Sequence, residues 1–171
     1  MLETVVTFLG GEGVRHAVIG AFALHAYGNS RATNDLDLVV DAEAQAGLVM
    51  FLESLGYETL YVSAGYSNHL HADPAMGRLD FVYVSGETSR RIFEAAEVRL
   101  VHAGIRLAVP RPEHLAAMKI LAMKNDPRRT FRELADIQFL LGLPGVDRDQ
   151  IRAYFERHGL GARFDELDQA R

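Results

Sequence analysis

The sequence predicts an α/β fold, in which a small mixed β-sheet is flanked by helices and followed by a helical extension. Two observations support this prediction. Short apolar strand patterns alternate with helical patterns over residues 1–109, whereas only helical patterns follow Pro110. We therefore expect an α/β core over residues 1–109 and a helical extension over residues 110–171. The extension should pack on the core, so that the chain forms one compact unit.

Composition excludes several classes of protein. The chain has 171 residues, of which 49% are hydrophobic, so it can bury a substantial core. It has no cysteine, which excludes disulfides and thiolate metal sites and fits a cytoplasmic protein. No apolar run approaches the ~20 residues that span a bilayer, so we expect no membrane partner. The formal net charge of −5 argues against nucleic-acid binding by bulk electrostatics.

Each element of the core has its own local signal. Apolar spacing predicts helices, period-two alternation predicts strands, and glycine or proline marks the ends of both. The predicted core elements are a helix over 2–9, a strand over 16–19, a helix over 21–27, a strand over 34–40, a helix over 42–55, strands over 57–62, 67–72 and 78–84, a helix over 88–95, and a hairpin of 98–102 with 105–109. The predicted extension has helices over 112–125 and 128–142 and one or two amphipathic helices after them.

Two aspartates stand out on the strand over 34–40. Leu36 and Leu38 point to one side of this strand, so Asp35 and Asp37 point to the other. Carboxylates at i and i+2 of one strand face repel each other in water alone. Around a divalent cation the same arrangement is favourable, because Mg²⁺ accepts one or two carboxylates and keeps positions for phosphate and water. The pair therefore predicts a metal site.

Other residues extend this pair toward phosphate chemistry. Gly20 lies between a strand and a helix, where a chain without a side chain lets phosphate approach backbone N–H groups. Asp80 lies in the later strand over 78–84 and can bring a third carboxylate from a second strand. Three carboxylates from two strands are what a two-metal site for phosphoryl transfer requires. We therefore predict that Asp35, Asp37 and Asp80 face one cleft.

In these motifs the sequence resembles the DNA polymerase beta-like nucleotidyltransferase superfamily, in its minimal branch. That branch includes antibiotic nucleotidyltransferases and the toxins of abortive-infection systems. Its signature is an apolar residue and a glycine, then Gly or Ser, then an acidic pair on a strand, then a third carboxylate. Gly20, Asp35, Asp37 and Asp80 match this signature, whereas Ala21 departs from it and keeps only its backbone N–H.

The resemblance also implies roles outside the carboxylates. Arg31 and Thr33 fit the lead-in to the acidic pair, and with Gly20 and Ala21 they are the implied nucleotide-binding residues. In the extension, the segment 113–119 resembles a helix of the branch that carries a lysine, here Lys119. The segment 129–137 resembles its next helix, whose acidic residue is Asp136, a further implied nucleotide-binding residue. The resemblance runs from about residue 15 to 142.

The implied activity is transfer of a nucleoside monophosphate from a nucleoside triphosphate, such as ATP, to an acceptor hydroxyl, with release of pyrophosphate. Two Mg²⁺ ions, or Mn²⁺, would be held by Asp35, Asp37 and Asp80, and Lys119 would neutralise the triphosphate. The acceptor stays open between an RNA end, a protein hydroxyl and a small molecule. A toxin of this branch would also have a cognate antitoxin protein as a partner.

Two other classes of protein share some of these features. A non-catalytic partner that keeps the fold, such as an antitoxin-like module, needs no intact set of carboxylates. An Asp-x-Asp glycosyltransferase also grips a diphosphate through a metal, but it needs a larger nucleotide-binding domain than this chain provides. Lys119 has its own alternative, because its helix face is otherwise apolar. It should therefore reach a phosphate, or pair with Asp136 in an interhelical salt bridge.

Two histidines give a weaker signal. His69 and His71 share one face of a predicted strand, with Asp73 close by, which resembles part of a zinc site. Because no third ligand has suitable spacing, we expect these histidines to line the cleft beside Asp80 instead. Four aromatic residues are expected to pack rather than to serve as base-stacking platforms, namely Tyr27, Tyr61, Tyr66 and Phe81.

Overall fold

The chain forms two compact units, Met1–Pro110 and Arg111–Arg171. The structure is a computed structural model, and it describes residues 1–30, 33 and 35–169. No helix in these ranges is both long and apolar enough to cross a membrane. The mixed β-sheet flanked by helices confirms the predicted fold class.

The elements of the first unit follow the predicted order. They are α1 (Leu2–Gly11), β1 (His16–Val18), α2 (Gly20–Ala26), β2 (Asp35–Asp41), a 3₁₀ turn (Ala42–Ala44), α3 (Gln45–Ser54), β3 (Tyr57–Ser63), β4 (Tyr66–His71), β5 (Arg78–Val84), α4 (Gly86–Glu94), β6 (Glu97–His102) and β7 (Ile105–Val109). The helix predicted over 42–55 therefore begins as a 3₁₀ turn.

Five strands form the main sheet in the order β1-β2-β5-β4-β3. β2 and β5 are parallel neighbours, and the other three pairs are antiparallel. β6 and β7 form a separate antiparallel hairpin. The sheet therefore sets the strand of the aspartate pair beside the strand of the third carboxylate. These two strands are neighbours although 36 residues, which include α3, β3 and β4, lie between the end of β2 and the start of β5.

Helix α3 lies over one face of the main sheet. The Thr59 hydroxyl of β3 donates to Glu53 of α3 at 2.8 Å, and α1 joins this layer through stacking of Phe8 on Phe51, with ring centroids 4.0 Å apart. The strand side chains on this face are fully or almost fully buried; they include Leu36, Leu38, Leu79 and Phe81. This apolar face is the core of the first unit, and it leaves the opposite face for polar side chains.

The second unit consists of helices. They are α5 (Pro112–Asn125), a 3₁₀ turn (Pro127–Arg129), α6 (Thr130–Leu141), α7 (Arg148–Arg157) and α8 (Gly161–Gln169). Pro112 opens α5, where a missing N–H costs no hydrogen bond, and Asp147 caps α7 by accepting from the Gln150 N–H at 2.9 Å. Buried apolar residues of all four helices, such as Phe155 and Phe164, form the core of this unit.

Candidate functional site

The acidic pair projects from the sheet face opposite α3. Leu36 and Leu38 are buried, with exposed fractions of 6% and 0%, whereas Asp35 and Asp37 are half-buried. This alternation follows from the period of two in an extended strand. Both carboxylates therefore lie on one face, as the sequence predicts.

Asp80 lies beside Asp37. In the parallel pairing of β2 with β5, Asp37 is the register partner of Asp80, and Asp35 is the register partner of Arg78. Register partners on neighbouring strands share a sheet face, and neighbouring strands lie about 4.8 Å apart. The prediction that Asp80 shares the face of the acidic pair is thus confirmed. A single slip in register would have moved Asp80 to the core face.

Gly20 closes this face at the start of α2. A Cβ atom on Gly20 would lie 2.6 Å from Asp37 Cγ and nearer still to Asp37 Oδ2. The backbone of Gly20 also has a φ of +61°, which favours glycine. Glycine is therefore required at this position for two reasons, namely its backbone conformation and the space that the Asp37 carboxylate occupies. Ala21 follows with a side chain that is 1% exposed, so only its backbone groups can serve a ligand.

The lead-in to the acidic pair is partly described. The Thr33 hydroxyl accepts a hydrogen bond from the Asp35 N–H at 3.1 Å and lies 3.3 Å from the Asp35 carbonyl oxygen. These local contacts hold the backbone where β2 begins, which supports the Asp35 carboxylate indirectly. Arg31, the other predicted residue of this segment, lies outside the described residues.

Three polar residues that sequence reasoning missed surround Asp80. Asn68, its antiparallel register partner in β4, donates from Nδ2 to Asp80 Oδ1 at 2.9 Å. Arg78 donates from Nε to the same oxygen, also at 2.9 Å. The Asn68 amide donates in addition to the Tyr66 hydroxyl, at 2.5 Å. Because these residues lie on a different strand or beside Asp80, only the strand pairing could identify them as one cluster.

The charge of Asp80 affects both of its ionisable neighbours. Burial raises the pKa of the Tyr66 phenol, and the negative charge of Asp80 raises it further. The phenol therefore stays protonated and able to donate a hydrogen bond. The pKa of Arg78 is also raised, first by its hydrogen bond to Asp80. The contribution of Asp80 to both shifts has the same physical origin, since a nearby anion favours the protonated form of each group.

The chemistry of the three aspartates suits a hard divalent cation. Carboxylate oxygens are the ligands that Mg²⁺ prefers, and Asp37 and Asp80 sit side by side with Asp35 two residues along the same face. Within the described ranges, no three His, Asp or Glu side chains already converge on a metal position. Asp80 Oδ1 accepts hydrogen bonds from Arg78 and Asn68, and the guanidinium of Arg78 offsets its charge.

The histidines of β4 lie elsewhere. His69 is fully buried and pairs in register with Leu79, so it points to the core face rather than toward Asp80. Its ring contacts the hydroxyls of Ser67 at 2.9 Å and Thr59 at 3.2 Å. Burial lowers the pKa of His69, because the charged ring would be desolvated. The expectation that His69 lines the cleft is therefore wrong.

The packing expectation holds for Phe81, whereas Tyr27 and Tyr66 are half-buried and Tyr61 is largely exposed. Phe81 is fully buried, as predicted for a packing residue. Tyr61 is 56% exposed and pairs in register with Asn68, so it lies on the carboxylate face near the outer edge of the sheet. The prediction that Tyr61 is a packing residue is wrong for most of its side chain, because β3 is an edge strand of the sheet.

The second unit contains a buried ionic cluster around Lys119. Lys119 Nζ lies 2.5 Å from Asp136 Oδ2 and 3.0 Å from Glu133 Oε2. Glu133 also accepts from Arg129, at 2.6 Å. Lys119, Glu133 and Asp136 are 8%, 1% and 3% exposed. The predicted pairing of Lys119 with Asp136 is confirmed, while Glu133 is a partner that sequence reasoning missed.

Comparison with known proteins identifies the family to which the chain belongs. Residues 10–171 match the family model described as nucleotidyl transferase AbiEii toxin, type IV toxin–antitoxin system. A search of curated protein sequences returned no match. The family match covers nearly the whole chain, including Gly20, the three aspartates and Lys119.

Solved structures agree on the fold. The antibiotic-resistance factor ANT(2″)-Ia superposes with a TM-score of 0.68 at 12% identity, over 99% of this chain and 94% of that one. The lincosamide antibiotic adenylyltransferase LnuA superposes with a TM-score of 0.55 at 14% identity, over 82% and 94%. TM1012 of Thermotoga maritima gives a TM-score of 0.52 at 15% identity, over 79% and 90%. The neighbours therefore share the minimal nucleotidyltransferase architecture, and the chain belongs to the AbiEii family of nucleotidyltransferases.

Proposed function

We propose that this enzyme transfers a nucleoside monophosphate from a nucleoside triphosphate to an acceptor hydroxyl and releases pyrophosphate. The observation that supports this most is the register of Asp37 with Asp80, closed at one end by Gly20. A bond forms between the acceptor oxygen and the α-phosphorus. The bond from that phosphorus to pyrophosphate breaks, and the hydroxyl proton is released. Family membership decides against a glycosyltransferase.

Asp35, Asp37 and Asp80 would hold the divalent ions, two Mg²⁺ or Mn²⁺. When bound, such ions neutralise the phosphates and lower the pKa of the attacking hydroxyl. The protein's own contribution is orientation. Strand β2 fixes two carboxylates on one face, and β5 sets the third beside Asp37. Thr33 steadies the backbone at Asp35.

The start of α2 is the proposed phosphate-binding element. The first N–H groups of a helix have no intrahelical acceptor, so those of Gly20 and Ala21 are available to a triphosphate oxygen. Arg31 remains a proposed nucleotide-binding residue from the family resemblance. Lys119 and Asp136 are proposed in the same way, with Lys119 neutralising the triphosphate and Asp136 hydrogen-bonded to the lysine.

The test is a transfer assay with each of the four labelled triphosphates and Mg²⁺, offering total RNA, cell protein and small metabolites as separate acceptors. We expect label to pass to one acceptor class, and Asp37→Asn to abolish that transfer. A non-catalytic partner protein would transfer no label in any arm. Lys119→Met, assayed below its melting temperature, should lose turnover, whereas a purely structural lysine would leave turnover intact.

We also propose that the chain is the toxin of a toxin–antitoxin pair, which the description of the matched family favours. The natural setting would then be the cytoplasm, with a cognate antitoxin protein as the partner. Induced expression should arrest bacterial growth, and Asp37→Asn should relieve the arrest. If wild type and Asp37→Asn slow growth equally, the effect does not come from nucleotide transfer and the toxin role fails.

A further inference from the structure

The Asp80 carboxylate is held from one side by side chains of two strands. Asn68 and Tyr66 come from β4, and Arg78 comes from β5 together with Asp80 itself. Asn68 pairs in register with Asp80, and Tyr66 pairs with Val82, two residues further along β5. Because register partners share a face, all three side chains project on the carboxylate side of the sheet.

Asn68 connects this group. It is 7% exposed, and a buried amide is costly unless its hydrogen bonds are made. Its Nδ2 has two hydrogens, and the two acceptors within reach are Asp80 Oδ1 at 2.9 Å and the Tyr66 hydroxyl at 2.5 Å. The amide must present its nitrogen here, because its oxygen would repel the carboxylate. Both donor positions are therefore committed to the cluster.

The two side-chain hydrogen bonds from Asn68 and Arg78 are accepted by the same oxygen of the Asp80 carboxylate. Asn68 and Arg78 both donate to Oδ1, and neither of these bonds involves Oδ2. Two donors on one oxygen fix the plane of the carboxylate and distinguish its two oxygens. Hydrogen bonds to a ligating carboxylate commonly decide how that carboxylate meets its metal.

We propose that Asn68 and Tyr66 are positioning residues for Asp80, which hold its carboxylate in the orientation in which it shares a divalent ion with Asp37. This proposal rests on the proposed function. Asn68 contacts the carboxylate directly, and the Tyr66 hydroxyl both accepts the second N–H of Asn68 and interacts with Asp80 itself. Neither residue needs to touch the nucleotide.

The test compares two identical substitutions on opposite faces of the same sheet. Tyr66→Phe removes the hydroxyl that accepts from Asn68. Tyr83→Phe removes a hydroxyl that bonds the buried Ser67 at 2.8 Å on the core face. Each variant loses one oxygen atom and the hydrogen bonds of one hydroxyl, so their effects on stability should be similar. Only Tyr66→Phe should alter metal binding.

The readout is Mn²⁺ binding to the nucleotide-free protein, followed by electron paramagnetic resonance, together with the Mg²⁺ concentration that gives half-maximal transfer. We expect Asn68→Ala to raise the Mn²⁺ dissociation constant and the half-maximal Mg²⁺ concentration each by about tenfold, the effect typical when a metal ligand loses a hydrogen-bond partner. Tyr66→Phe should raise both values by a smaller factor, and Tyr83→Phe should match the wild type. The KM for the triphosphate at saturating Mg²⁺ should change little in any variant.

The outcomes separate the two proposals. If Tyr66→Phe and Asn68→Ala bind Mn²⁺ as the wild type does, and lose only stability, the positioning role is overturned while the proposed function stands. If Asn68→Ala does not fold, the comparison of Mn²⁺ binding between Tyr66→Phe and Tyr83→Phe tests the positioning role by itself. If the wild type neither binds Mn²⁺ nor transfers a nucleotide, the proposed function fails and this proposal falls with it.

Discussion

Gly20 and the Asp37 carboxylate occupy adjoining space, so that even one carbon atom added to Gly20 would displace Asp37. The added Cβ would stand 2.6 Å from Asp37 Cγ, far inside van der Waals contact. One glycine thereby links the start of α2 to the centre of β2. The element proposed to bind phosphate and the strand proposed to bind metal are held in direct contact.

Gly20→Ala should abolish most activity, because it moves Asp37. Misplacement of a reacting group by about 1 Å can cost about a hundredfold in rate, and we expect a loss of that order. Gly86→Ala is the matched control. Gly86 also begins a helix and has a φ of +57°, but its added Cβ meets nothing within 4 Å. Both variants should lose about 1–2 kcal/mol of stability from backbone strain. Equal activity of the two variants would show that the contact with Asp37 is irrelevant.

Asp37→Asn should remove the stabilisation that Mg-nucleotide gives the protein. Ligand at a hundred times its dissociation constant stabilises a protein by about 2.7 kcal/mol, and the variant should gain far less. Asp41→Asn is the control at the other end of β2. Asp41 accepts from Arg15 at 2.7 Å, so this variant should melt lower without ligand and keep the full ligand shift. Melting curves recorded with chelator and with Mg-nucleotide measure the stability of each variant and its increase on ligand binding. If Asp37→Asn gains the full stabilisation of the wild type from Mg-nucleotide, Asp37 is a structural residue.

Lys119→Met should destabilise the protein by about 3–5 kcal/mol, because the buried Asp136 and Glu133 both lose the lysine ammonium and only Glu133 keeps an ion pair with Arg129. Lys124→Met, on the exposed side of the same helix, should change stability little. Denaturant unfolding of the three proteins gives the comparison. A wild-type unfolding curve for Lys119→Met would mean that water or another cation replaces the lysine.

His69 should make the protein less stable in mild acid. Burial lowers its folded pKa below the ordinary 6.5, so the unfolded chain binds a proton at a pH where the folded protein does not. The stability is present above pH 6.5 and is lost as the pH falls below it, down to the folded pKa. His69→Gln should therefore flatten the stability profile between pH 7.5 and 5.5. His102→Gln, at an exposed position, should keep the wild-type profile. Unchanged pH dependence in His69→Gln would contradict this assignment.

Sequence reasoning succeeded where the physical signal is local. The alternation of Asp35, Leu36, Asp37 and Leu38 needs only the two-residue period of a strand, and Pro112 marks a helix start through its own backbone. The salt bridge of Lys119 with Asp136 also followed from a single polar residue on an apolar helix face. These inferences required no knowledge of which elements become neighbours.

The errors arose where both faces of a strand carry polar residues. Strand β4 has Asn68 between Ser67 and His69, and all three are buried. Alternation alone cannot tell which of them faces the carboxylates, so His69 was expected there instead of Asn68. Glu133 was missed for a related reason, since a glutamate near Arg129 also fits a solvated helix face.

The local sequence is enough to show that Asp35 and Asp37 share a strand face and that a glycine turn precedes them. Strand pairing is needed to place Asp80 directly beside Asp37 and Asn68 beside Asp80. Strand order and register depend on contacts between segments far apart in the chain. A shift of one residue would exchange Asp80 for Leu79 or Phe81 at no change in local propensity. Burial of Leu79 and Phe81 on the apolar face removes that choice, because it leaves Asp80 on the other face with Asp37.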